Sequence, residues 1–149
     1  MGEKAKVDPF NLQRFVEAQA NVYPRVVDEL RRGRKTSHWM WFVFPQISGL
    51  GFSEMSQRFA IGSLEEAKAY LAHPVLGARL RECAALVLNC PEPSIARILG
   101  APDDMKFHSC MTLFAEADPD AALFQQALQR FFGGARDAPT MARLVEIGR

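Results

Sequence analysis

Apolar residues along this chain recur at steps of three and four, and no stretch alternates with period two, so the pattern predicts helices and no sheet. Leu12, Phe15 and Val16 follow Asp8-Pro9, which reads as an N-cap with proline in the first turn. Val22, Val26, Val27 and Leu30 form a second set ended by Gly33, and Pro24 marks a break near Asn21. Ser53 caps a short helix through Phe59. Ser63-Leu64-Glu65-Glu66 is a capping box, in which a serine hydroxyl and a glutamate carboxylate satisfy free amides at a helix start. The helix it opens carries Ala67, Tyr70 and Leu71 and ends at His73-Pro74.

Val75, Leu76, Leu80, Ala84, Val87 and Leu88 continue as the stripe of the next helix. Ile95, Ile98 and Leu99 predict a short helix closed by Gly100, and Pro102 with Asp103 and Asp104 starts one whose buried face is Phe107, Cys110, Met111 and Phe114. Two last patterns run from Asp120 to Phe131 and from Pro139 to Val145, separated by Gly133-Gly134. Trp39 to Phe44 is a continuous apolar run that fits a buried strand or a helical turn equally well. The expectation is an all-α fold, one compact domain over residues 1–149 with about eight helices, several of them short, and a flexible N-terminal tail over residues 1–7.

Composition narrows the functional classes. The 149 residues are 48% hydrophobic, enough for one substantial core, and 18 basic against 17 acidic residues leave a net charge of +1. No global field favours nucleic acid, whose only support is the run Arg31-Arg32-Gly33-Arg34-Lys35, better read as a solvated helix end. The three cysteines are odd in number and lack paired spacing, and the three histidines are scattered, so reduced thiols and no structural metal are expected. The charged first ten residues do not form a secretory signal, and no apolar run approaches the roughly 20 residues that span a bilayer. A cytoplasmic location without membrane contact is expected.

Candidate chemistry gathers in Lys35-Thr36-Ser37-His38-Trp39-Met40-Trp41-Phe42-Val43-Phe44-Pro45-Gln46, where two indoles stand among hydrogen-bonding groups. His38 could serve as a base beside the indoles, its plainer role being to join a helix end to a loop carbonyl. Trp39 and Trp41 diverge if the run is helical, so core packing is the default for at least one. His73 before Pro74 projects from a helix end, where capping is the plainer role. Lys106, Ser109 and Thr112 recur every three residues, a stripe that could offer a cation and two hydroxyls to a phosphate or carboxylate and that otherwise reads as a solvated boundary. Asp103 and Asp104 read chiefly as helix-start acids, with a catalytic role for Asp103 as the alternative. No glycine-rich phosphate loop, HExxH or GxSxG is present, and no cofactor is expected.

The blocks Arg14-Phe15, Gly33 to Gln46 with its HWMWFVFPQ core, Gly49-Leu50-Gly51, Ser63 to Ala67, His73 to Gly77 and Asp103 to Phe114 resemble a bacterial family catalogued as domain of unknown function 1810. Cys110 departs from the serine expected in many relatives. The resemblance implies a compact multi-helical domain and supplies no established reaction. Members have been labelled calpastatin-like, but that inhibitor is disordered and repetitive, whereas this chain is apolar and without repeats. The family is also distantly similar to helical domains proposed to act on ADP-ribose derivatives, which implies an aromatic group for a base and a cation for phosphate.

The functional expectation is a cytosolic helical domain binding a small anionic, nucleotide-like ligand in a cleft. That cleft lies between the segment 35–46, with Lys35, Trp39, Trp41 and Gln46, and the helix of Lys106, Ser109 and Thr112, with His73 as a further ligand-binding candidate. Were it an enzyme, hydrolysis of an N-glycosidic bond in an ADP-ribose derivative is the first reaction to test, with His38 or Asp103 as the acid-base group. The alternative is a non-enzymatic interaction or structural module with no small-molecule ligand.

Overall fold

Helix α8 (Asp103–Ala117) is buried almost all round, and the chain is arranged about it. In the computed structural model, which describes residues 7–148, the elements in order are α1 (Gln13–Ala20), α2 (Tyr23–Arg31), α3 (Met40–Val43), α4 (Glu54–Arg58), α5 (Leu64–Ala72), α6 (Leu76–Leu88), α7 (Ile95–Leu99), α8, α9 (Ala122–Phe132) and α10 (Ala138–Glu146). The all-α expectation is met by one compact unit, with ten helices among the described residues where about eight were expected. The expected tail over 1–7 lies outside the described residues except for Val7.

Helices α5, α7, α9 and α10 pack directly on α8, and α6 packs on α2, α5 and α9 at the next layer. A row of rings runs through the centre: Phe15 meets Tyr70 edge-on with centroids 5.1 Å apart, Tyr70 lies 5.4 Å from Phe114, and Phe114 lies 6.0 Å from Phe124. The polar groups drawn into this core are matched. Gln19 is buried, and its amide donates to the Phe42 carbonyl at 2.6 Å and the Tyr70 hydroxyl at 3.3 Å. Cys83, Cys90 and Cys110 are free and buried; burial pushes the Cys83 thiol up to about 12 and raises that of Cys110, which leaves both poor nucleophiles.

Local details correct three sequence expectations. Asp8 does not open α1: the chain turns at Pro9-Phe10, and the Asp8 carboxylate reaches forward to accept from the amides of Leu12 (2.8 Å) and Gln13 (3.0 Å), bonds that lower its pKa. At the capping box the Ser63 hydroxyl accepts from the Glu66 amide at 3.1 Å, but Glu66 reaches the Gly62 amide and Arg14 (both 2.9 Å), because Arg14 of α1 binds the same corner. The stripe Lys106, Ser109, Thr112 is not a solvated boundary, since α10 lies over its far end: Lys106 is half-buried, and Ser109 and Thr112 are buried.

Candidate functional site

The connector from Lys35 to Trp39 hangs from one carboxylate. Glu29 stands on the buried stripe of α2 between Val26 and Leu30, and accepts from the Thr36 amide (2.8 Å), the Ser37 amide (3.1 Å), the Ser37 hydroxyl (2.6 Å) and the Trp39 indole N–H (2.9 Å). Burial works to raise the Glu29 pKa, but those donors outweigh it and hold the carboxyl at about 2. Trp39 is thereby locked in the core just before α3, the single turn into which the ambiguous apolar run folds. Trp41 diverges from it, as two residues in a helical turn do, and stays half-buried.

Two lysines meet one aspartate beneath these indoles. Lys35 Nζ donates to the Ser37 carbonyl at 2.6 Å, lies 2.9 Å from Asp103 Oδ2 and sits 5.1 Å from the Trp39 ring centroid. Lys106, one turn along α8 from Asp103, lies 3.9 Å from Asp103 Oδ1 and 5.5 Å from the Trp41 ring centroid. At 3.9 Å the second pair is beyond hydrogen-bond reach, and among the described residues Lys106 Nζ donates no hydrogen bond.

Lys106 forms the shared wall of two adjoining hollows. One is a slot of about 10 Å³, room for a water, beneath Trp41, Gln46 and Gly51. The other is an open cleft of about 260 Å³ bounded by Gln46, Leu50, Met105, Lys106, Ser109 and Asp137. The loop from Gln46 to Gly51 closes one side and is pinned by backbone bonds of 2.8 Å to Ile61 at Ser48 N and Gln46 O, an isolated parallel bridge. Gly49 adopts φ +91°, and a Cβ there would lie 2.7 Å from Nε of Arg143, which itself donates to the Ser48 carbonyl at 2.9 Å.

On the other side, Asp137 caps α10. Its Oδ2 accepts from the Thr140 amide (3.2 Å), the Thr140 hydroxyl (2.6 Å) and the Ser109 hydroxyl (2.9 Å), while its own amide donates to Thr112 Oγ1 at 2.9 Å. Among the described residues Asp137 Oδ1 has only the His108 ring nearby, at 3.8 Å, so an acceptor oxygen remains at the cleft wall.

The structure therefore brings Trp41, Gln46, Lys106 and Ser109 to one place, with Lys35, Trp39 and Asp103 directly behind. Thr112 points instead at the Asp137 backbone, within the core. His73 lies elsewhere, its Nδ1 accepting from the amides of Val75 (3.1 Å) and Leu76 (3.2 Å) at the start of α6. His38 is exposed and is not part of either wall. Glu29, Asp137 and Arg143 were missed by sequence reasoning. Glu29 carried a signal, a carboxylate on an apolar stripe, and so did Asp137, which precedes Pro139 and Thr140 as an N-cap does. Arg143 carried none. Among the described residues no cluster of three or more histidine, cysteine, aspartate or glutamate side chains could hold a metal, and no helix is long and apolar enough to cross a membrane.

The same arrangement of helices is known from a solved structure. The conserved hypothetical protein Rv1873 from Mycobacterium tuberculosis superposes with a TM-score of 0.91 at 54% sequence identity, covering 93% of this chain and 99% of that one. No curated protein matches. The blocks that suggested a family, from Arg14-Phe15 through the tryptophan segment to α8, all fall within residues 9–144, which match the model described as protein of unknown function (DUF1810), and the chain belongs to that family.

Proposed function

We propose that the cleft beside Lys106 binds a small anionic ligand carrying a flat ring, of the nucleoside monophosphate type. One observation carries the reading: a half-buried ammonium that donates no hydrogen bond, held against an indole at the wall of an open hollow. A phosphate there would accept hydrogen bonds from the free Lys106 ammonium, Leu50, Met105 and Pro139 supply apolar surface for a ring, and Gln46 and Asp137 Oδ1 are placed for its polar edge. At about 260 Å³ the hollow suits one ring and one phosphate, so of an ADP-ribose derivative one half would sit in it.

The geometry favours binding over chemistry. Asp103 is held by two lysines, and His38 stands off the cleft, so neither acid-base candidate is poised at its wall. Thermal unfolding with AMP, ADP-ribose and NAD tests the reading: a ligand at 100 times its dissociation constant adds about 2.7 kcal/mol, and Lys106→Met should abolish the shift. A midpoint that none of them moves would remove the proposal. Release of free base or ADP-ribose, followed in the same samples, reads out N-glycosidic hydrolysis directly.

A second reading, a structural or interaction module without a small ligand, is favoured by a different observation. Lys35, Trp39, His73 and Thr112 are all engaged inside the chain. It gains if Lys106→Met alters neither ligand response nor stability.

A further inference from the structure

We infer that a second, separate hollow between the end of α2 and α7 is a binding site for a small ligand bearing two or more phosphates. It has a volume of about 630 Å³, and among the described residues its charged walls are Arg32, Arg34, Lys35 and Arg97 against a single carboxylate, Glu92. In a chain whose net charge is +1, four cations around one concavity are a strong local concentration.

Three of the four, the arginines, are not consumed by internal pairing, while Lys35, held by Asp103 and the Ser37 carbonyl, adds its charge from the base of the hollow. Arg34 is exposed and its side chain has no partner among the described residues. Arg97 is 3.9 Å from Glu92, beyond a hydrogen bond, and Arg32 shares with Asp28 a pair in which both side chains are more than half exposed, so water already competes for it. The fork of each arginine can meet a phosphate with two parallel hydrogen bonds. The bend that gathers them is set by backbone: Gly33 turns at φ +75° between Arg32 and Arg34, and the Lys35 amide donates to the Ile98 carbonyl at 2.7 Å, which draws the basic run against α7.

A small polyphosphate fits these walls better than a nucleic-acid strand. Among the described residues no aromatic side chain lines the hollow to stack a base, and four cations fall short of the roughly 6–10 phosphate contacts typical of duplex binders.

Calorimetric titration of the full chain with inorganic tripolyphosphate is the test. The expected result is binding that weakens by roughly tenfold or more in Arg34→Ala and further in R34A/R97A, and that survives in Lys106→Met. Both arginines are exposed, so unchanged melting temperatures accompany the loss. Absence of binding, equal binding by R34A/R97A, or loss in Lys106→Met alone would overturn the proposal. So would a single-stranded oligonucleotide whose affinity rises with length beyond that of tripolyphosphate, which would mark a nucleic-acid surface instead.

Discussion

Lys35 and Lys106 make the same two kinds of contact, an indole and one oxygen of Asp103, and they end in opposite conditions. The Lys35 side chain is 8% exposed, donates to a carbonyl and pairs at 2.9 Å; that of Lys106 is 23% exposed, donates to nothing and pairs at 3.9 Å. What separates them is the element that carries each tryptophan. Glu29 pulls Trp39 and its connector into the core, which closes around Lys35, whereas Trp41 leaves the single turn of α3 in another direction and keeps the Lys106 corner open. Residue type alone does not mark a binding group; the number of its obligations inside the chain does.

The comparison breaks most completely at Glu29. Glu29→Ala leaves four donors of the connector without their acceptor, and urea denaturation should register a loss of about 3–4 kcal/mol. Acid attacks the same point. The Glu29 carboxyl sits at about 2 in the fold against an ordinary 4.5, so the unfolded chain takes up the proton first as the pH falls. Its contribution, roughly 3 kcal/mol, is complete above about pH 4.5 and is lost as the pH drops towards 2, and Glu29→Gln should flatten that part of the stability profile.

Lys35→Met should cost about 2 kcal/mol in the same assay, since it leaves Asp103 half-buried with only the distant Lys106. Lys106→Met should change stability by less than about 1 kcal/mol, because the pair it removes is long and partly solvated. A Lys106 variant as damaging as the Lys35 variant would erase the distinction between the two corners.

The helices were legible because each is written in neighbouring residues. The Ser53 and Ser63 caps, the break at Pro24 and the stripe of α6 all depend on spacings of a few positions. The site was half legible. Trp41, Gln46, Lys106 and Ser109 belong to two conspicuous segments, but their meeting depends on the bridge between Ile47 and Ile61 and on α10 lying over α8, which no local pattern encodes. Thr112 shows the limit: a hydroxyl every third residue reads as a boundary stripe until another helix covers it and supplies the Asp137 amide. Glu29 is the counterpart, an acid that composition counts as solvated and that tertiary structure makes an anchor.

Asp103 touches the lysine of either hollow, so it is a counter-ion held in common. An anion that drew Lys106 off this carboxylate would leave Lys35 as its sole claimant and bind that lysine more firmly into the interior. Occupancy of one hollow would therefore be felt, through that carboxylate, at the floor of the other, and by linkage any such effect would be reciprocal.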